Sequence, residues 1–434
     1  MTAAPALLWY GDDFTGATDT LGTAARAGLR ALLFLRLPSD AQLAAAGPLD
    51  CVGVAGAARS MAPVAMRAEL APVVPLFKKL GARILHYKVC STFDSAPSVG
   101  SIGVALQTLR AQLPGARTAI LGGQPDLGRY CVFGNLFARA GSAGEVHRID
   151  RHPTMARHPV TPMGEADLRR HLALQGIPQL GLVPFTALRR SPEALQAQWQ
   201  VLADTAADGV LFDVADNADL EPIGALLWRE AVRAPLLVAG ASSVVQALAP
   251  EIAPERTTQR AAGVAAARGP VFVLAGSLSP VTAEQVRNAR SFDTLWLDPQ
   301  ALVADTHYLS ESVRRITTAL AAGRNLLACT VAPGQAAPQP VDAHALALAG
   351  GALLAAVLAA VPLARVAVAG GDTSSHAVQA LDAWGLSYLA ALSSGVSLCR
   401  LHSDNATLDG TEIALKGGQM GTPDVFERLV HGTA

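Results

Sequence analysis

Short unbroken apolar runs, each closed by a turn signal and followed by a helical pattern, recur along the whole chain. RALLFL, CVGVAG, RILHYK and TAILGG fall in the first 125 residues, and LGLVPF, GVLFDV and PLLVAG carry the rhythm to Gly240. These Val/Leu/Ile/Ala runs do not alternate with polar residues, which predicts parallel strands covered on both faces. The rhythm breaks in APEIAPERTTQRAAGVAAARGP, Ala249 to Pro270, where three prolines and three arginines read as a linker or exposed connection. VFVLAG, TLWLDP, NLLACT, RVAVAGG and EIALKGG then resume it. The expectation is an α/β protein of two domains, each a mainly parallel sheet flanked by helices. The boundary lies within 245–268 and divides 1–250 from 251–434.

The first run raises a chemical question. ALLWYGDDFTGATDT predicts a strand over Ala6–Tyr10 and a helix over Gly16–Ala27, with Asp12 and Asp13 in the turn between them. Ligands of open α/β sheets bind at that edge. Asp13 or Thr15 alone would cap the helix. Two adjacent carboxylates repel, so the second asks for a metal, a cation or a substrate donor.

Composition narrows the partners. With 434 residues, 51% hydrophobic and 16% charged, the chain can bury about two or three cores and is not a disordered protein. A net charge of −1 with no basic, aromatic-interleaved stripe indicates neither nucleic acid nor an anionic membrane as partner. MTAAPALLWYGDD has no basic leader, and Cys51, Cys90, Cys131, Cys329 and Cys399 are widely spaced without a CxxC. Both features suit a reducing cytoplasm rather than a disulfide framework or a zinc site. Ala343 to Ala364 is nearly long enough to span a bilayer, but it is Ala- and Gly-rich and runs into the strand-like RVAVAGG. It reads as a buried helix.

Three strand ends in the second half share one design. Gly276-Ser277 precedes Ser279-Pro280, Gly370-Gly371-Asp372-Thr373 joins a strand to a helix, and Lys416-Gly417-Gly418 follows the strand EIAL. Glycine lets a phosphate approach the backbone, and a helix N-terminus supplies free N–H groups. Ser277, Thr373 and Ser374 add hydroxyls, and Lys416 a point charge. Together they predict a polyphosphate site, although neither GxxxxGK[ST] nor GxGxxG is present. The first half offers Lys88, Ser91 and Thr92 in HYKVCSTFDS, Arg129 in GGQPDLGRYCVFGN, and Arg151, His152 and His158 in RIDRHPTMARHPVTP. These are donors suited to carboxylates and hydroxyls. The two histidines lack a third ligand at metal spacing, so no protein metal site is expected.

GDDFTGATDT, RHPVTPMGEADL, GGDTSSHAVQAL and ALKGGQMGTPDVF together resemble the four-carbon acid sugar kinase family, in order from about Leu8 to Phe426. The resemblance implies an N-terminal domain that binds a small sugar acid, a C-terminal domain that binds ATP, and phosphoryl transfer in the cleft between them. It places Asp12 and Asp13 on substrate, matches Lys88, Ser91 and Thr92 to a substrate stretch, and puts Ser277, Gly370 to Thr373 and Gly417 on ATP. Two departures stand out. The family's usual KxDSTxRG has Cys90 for its acid and Asp94 for its arginine here, which turns the expected substrate toward a branched oxo acid. Asp372 keeps the charge of the family's usual glutamate.

The reading is therefore a cytoplasmic, ATP- and Mg²⁺-dependent kinase that phosphorylates a primary hydroxyl of threonate, erythronate, 3-oxo-tetronate or 3-oxo-isoapionate. One of Asp12 and Asp13 accepts the hydroxyl proton. Lys88, Ser91, Thr92, Asp94, Arg129, Arg151, His152 and His158 hold the acid, whereas Ser277, Ser279, Gly370, Gly371, Asp372, Thr373, Lys416, Gly417 and Gly418 hold ATP. A homodimer is compatible with this reading. A non-catalytic sensor and an aspartate-dependent phosphatase are the alternatives, although DxDxT phosphatases space their acids two apart.

Overall fold

The computed structural model describes residues 4–141, 144–256, 263–276, 279–330 and 341–433. They form two compact units, one of residues 1–32 and 39–259, the other of 33–38 and 260–434.

In the first unit the opening strand, Leu7–Gly11, lies between Cys51–Ala55 and Ile84–Lys88, parallel to both. Leu236–Gly240, Arg117–Gly122, Gly209–Asp213 and Leu180–Val183 extend the sheet in that order, all parallel. Every residue of Leu7–Gly11, Ile84–Lys88 and Leu236–Gly240 is buried, as the unbroken apolar runs require. Register sets Gly11 and Gly240 on either side of Lys88, so three strands end in one row. A small antiparallel sheet, Arg129–Val132, Asn135–Arg139 and Val146–Arg148, is tied to the main one by Asp213. The Asp213 carboxylate accepts the backbone N–H of Phe133, Gly134 and Phe185.

The second unit repeats the principle. Asp293–Trp296, Leu326–Cys329, Val271–Ala275, Arg365–Ala369 and Glu412–Lys416 are parallel, in that spatial order. Val396–His402 and Gly385–Ser393 continue antiparallel, and Leu33 and Phe34 pair with the last of these. Ala275, Ala369 and Lys416 end their strands in register. The Ala-rich segment forms the helix Ala343–Ala360, with Ala347, Leu353, Leu354, Val357 and Leu358 buried. Among the described residues no helix is long and apolar enough to cross a membrane.

Candidate functional site

The first strand row builds a charged cluster. Asp12 leaves the sheet with its N–H still bonded to Lys88 O at 3.0 Å, and the next helix runs Phe14–Arg26, two residues earlier than the pattern predicts. Asp13 is its N-cap: Oδ1 accepts from Gly16 N at 3.0 Å and Oδ2 from the Thr15 hydroxyl at 2.5 Å. The same carboxylate also meets a cation. Arg59 donates through Nε and Nη2 to both oxygens of Asp12, at 3.2 and 2.7 Å, and through Nη2 to Asp13 Oδ1 at 2.8 Å. Its backbone N–H holds Asp12 O. Arg59 thus answers the demand that two adjacent acids create.

Lys88 closes the cluster from the other side. A Cβ on Gly16 would stand 2.4 Å from both Lys88 Nζ and Asp13 Oδ1, so any side chain there would have to displace the ammonium, the carboxylate or both. Asp12, Asp13 and Lys88 are all buried. Burial raises the pKa of Asp12, with Asp13 adding to the rise and Arg59 opposing it. Burial also raises Asp13, but Arg59, Lys88, Thr15 and Gly16 outweigh it, and its carboxyl lies below the ordinary value.

The loop after Lys88 carries the departures. Phe93 sits at φ 54°, a left-handed conformation costly for a bulky residue. That turn brings Thr92 Oγ1 to Asp94 Oδ1 at 2.5 Å and to Cys90 Sγ at 2.9 Å. Asp94 is buried and acts electrostatically on Arg59, Arg129 and Cys90. It does not cap the following helix, which runs Ile102–Ala111 and is capped by Ser101. Burial raises the Cys90 thiol and Asp94 adds to the rise. Arg129 donates to Leu127 O, while its buried Nε has no hydrogen-bond partner among the described residues. Burial lowers its pKa, against the pull of Cys90, Asp19 and Asp94. Ser91 is buried in the same loop.

The histidine segment is organised differently. His152 Nδ1 accepts the N–H groups of Thr154 and Met155 at 3.2 Å, which leaves the ring proton on Nε2 to donate to Arg139 O. His158 Nδ1 accepts from Thr161 N at 3.1 Å. Both rings therefore brace their own loop, and Arg151 is exposed. Among the described residues no group of three His, Cys, Asp or Glu side chains is placed to hold a metal.

In the second unit, Gly370 has φ 132° and caps the helix Gly371–Gln379. Among the described residues nothing lies within 4 Å of a Cβ built on Gly371, so its backbone is open on their side. A Cβ on Gly276 would stand 2.3 Å from Thr373 Oγ1, which draws the first glycine turn against the second. The Ser374 hydroxyl turns back to Val368 O, so it is not the outward donor the sequence suggests. Ser279 caps Pro280–Asn288 through Val281 N. Lys416 is buried and its ammonium faces inward, to Thr282 Oγ1, Gly417 O and Gly418 O at 3.0, 2.9 and 3.4 Å. Burial brings its pKa down to about 7. Ser277 and the side chain of Asp372 lie outside the described residues.

Sequence reasoning missed Arg59, Thr282 and Gln285, and the set of Asp19, Gln124 and Ser242. In that set, Asp19 Oδ2 accepts from Gln124 Nε2 at 3.1 Å and from the Ser242 hydroxyl at 2.5 Å. The signal for Arg59 was available: a lone arginine follows the buried strand CVGVA, and the acid pair needed a cation. Thr282 and Gln285 look like ordinary helix residues in the sequence.

Comparison with known proteins agrees with this division. Residues 7–248 match a sugar-binding N-terminal domain family and residues 272–426 a nucleotide-binding C-terminal domain family. A 3-oxo-isoapionate kinase of Paraburkholderia graminis is 38% identical, over 99% of this chain and 96% of its own. A 3-oxo-tetronate kinase of Methylobacterium radiotolerans is 32% identical, over 96% and 97%. A crystal structure from Salmonella typhimurium LT2 superposes with a TM-score of 0.80 at 25% identity, covering 98% of both chains. One of a Haemophilus influenzae protein gives 0.72 at 24%, covering 97% of this chain and 98% of that one, which supports the fold.

Proposed function

The chain belongs to the four-carbon acid sugar kinase family, and on that premise we propose that it transfers the γ-phosphoryl group of ATP to a primary hydroxyl of a branched or 3-oxo sugar acid. One observation carries the reading: a buried pair of carboxylates, clamped by Arg59 and flanked by Lys88, stands at the strand ends of the sugar-binding unit.

Phosphoryl transfer needs alignment and charge neutralisation more than covalent help. Asp13 is the proton acceptor in this proposal. Arg59 donates to both oxygens of Asp12, whereas Asp13 Oδ2 accepts one bond, from the Thr15 hydroxyl. The lowered pKa keeps Asp13 ionised at neutral pH, and a loose transition state asks little basicity of it. Asp12 then orients the hydroxyl or the clamp. Lys88 and Arg129 are the cations for the substrate carboxylate, and the Nε of Arg129, without a partner among the described residues, supports that role. Asp94 accepts from substrate hydroxyls. The open backbone at Gly371 and the turns at Gly276 and Gly417–Gly418 suit the phosphates. Mg²⁺ would neutralise charge on the β- and γ-phosphates, and it commonly takes most of its ligands from them and from water.

Incubation with ATP and a panel of sugar acids tests the reading. ADP should form only with the matching acid, with 3-oxo-isoapionate and 3-oxo-tetronate tried first. Binding of acid and nucleotide without turnover would make the protein a sensor. Release of phosphate from a phosphorylated acid without ATP would make it a phosphatase.

A further inference from the structure

The turn that follows Lys416 is held from behind. Lys416 Nζ donates to Gly417 O at 2.9 Å and Gly418 O at 3.4 Å, and the Thr282 hydroxyl donates to Gly418 O at 3.0 Å. Gln285 Nε2 donates to Met420 O at 3.0 Å and Thr422 O at 3.1 Å. Thr282, Gln285 and Lys416 are 1%, 0% and 2% exposed, whereas the turn itself is half-buried to exposed. Four carbonyls of one six-residue segment are thus drawn to the protein side.

A trans peptide sets its C=O and N–H in opposite directions. No cis peptide is present among the described residues. With the carbonyls of Gly417, Gly418 and Met420 held inward, the N–H groups of Gly418, Gln419 and Gly421 point outward. The fourth carbonyl, Thr422 O, precedes Pro423, which has no N–H to offer. Met420 N closes the turn on Gly417 O at 3.1 Å, and Gly421 has φ 89°, where other residues are strained. Successive outward N–H groups around such a turn make an anion-binding concavity.

We infer that Lys416, Thr282 and Gln285 are positioning residues that aim the backbone N–H groups of Gly418, Gln419 and Gly421 at a phosphoryl group of the nucleotide, without touching it. The inference rests on the kinase reading above. It also assigns Lys416 a different task from the point charge its position suggests: its three ammonium protons go to Thr282 Oγ1 and two carbonyls.

Calorimetric titration of the full chain with ATP and with adenosine tests it. Thr282→Val keeps the shape and removes the hydroxyl, and Gln285→Leu removes the amide. Each removes two hydrogen bonds behind the turn and should weaken ATP roughly 3- to 10-fold, the scale of about one hydrogen bond's net contribution passed on to the phosphate, and leave adenosine and sugar-acid binding unchanged. Thr282→Ser restores the donor and should restore ATP affinity. A fold defect would not separate ATP from adenosine, nor Ser from Val. Wild-type ATP affinity in both Thr282→Val and Gln285→Leu would overturn the inference alone, as would an equal loss of ATP and adenosine. Failure of the wild-type chain to bind ATP would overturn the kinase reading and this inference with it.

Discussion

Arg59 grips Asp12 through two hydrogen bonds, Nη2 to Oδ1 at 2.7 Å and Nε to Oδ2 at 3.2 Å. The same Nη2 reaches Asp13, so one guanidinium bridges a pair of acids that share a single turn, with Lys88 offsetting the charge that remains. Removing one partner of a buried ion pair leaves the other uncompensated, at a cost of about 3–5 kcal/mol. Arg59→Met should therefore lower the melting temperature strongly at neutral pH. Without the cation both carboxyl pKa values rise, that of Asp12 further above its ordinary value and that of Asp13 from its lowered one. The variant's folded state then binds more protons than that of the wild type, so its deficit grows as pH rises. Melting curves should show a smaller deficit at pH 4–5 than at pH 7–8. A pH-independent deficit would mean that Arg59 does not govern these carboxylates.

Asp13→Asn should reduce turnover by about 100- to 10,000-fold, the usual range for a positioned base, with ATP affinity kept. Asp12→Asn should cost less turnover and more stability, since Asp12 is the one held by two bonds from Arg59. Steady-state kinetics beside thermal melts separate the two. If Asp13→Asn keeps near-normal turnover, Asp13 is only the helix cap.

Gly371→Val places a branched side chain where none of the described residues stands within 4 Å, so folding should be unaffected. ATP binding should nonetheless weaken by more than tenfold if a phosphate approaches this backbone. Titration with a sugar acid should be unchanged. Equal ATP affinity would move the phosphates elsewhere.

Asp94 stands among Arg59, Arg129 and Cys90 rather than on a helix end. Exchange for arginine adds a cation to that group and removes the acceptor of the Thr92 hydroxyl. Activity on the native acid should collapse by at least 100-fold, with threonate or erythronate gaining relative to it. The acid panel, repeated on Asp94→Arg, gives the order. An unchanged order would remove Asp94 from specificity.

Burial holds Lys416 at about 7, below the 10.5 of an exposed lysine. The unfolded chain binds the extra proton between those values, so the penalty on the folded state is full below about pH 7 and fades as pH rises to 10.5. An anion seated on the Gly417–Thr422 turn stabilises the ammonium and draws the proton back. ATP binding at pH 8 should then take up protons, seen as a buffer-dependent calorimetric enthalpy. Lys416→Met should abolish the uptake. No uptake by the wild type would place the phosphates away from this turn.

The strands and the acid turn were legible in the chain because their causes are local. Unbroken apolar runs such as LLWYG and RVAVA have to be covered on both faces, and a glycine or an acid after them can only be a turn. The motifs GDDFTGA, GGDTSS and LKGGQMG likewise mark the strand ends in the sequence itself. Other features depend on residues far apart in the chain. Arg59 and Asp13 are 46 positions apart, and Lys416 and Thr282 are 134 apart; only the parallel registers bring each pair to one edge. Direction was equally hidden. Lys416, Ser374 and His152 have the composition of ligand donors, yet each spends its polar atoms on backbone or side-chain acceptors and donors of its own unit. A sequence shows which groups can form hydrogen bonds; packing decides which of them remain free to bind a substrate, because a buried donor must first satisfy itself within the fold.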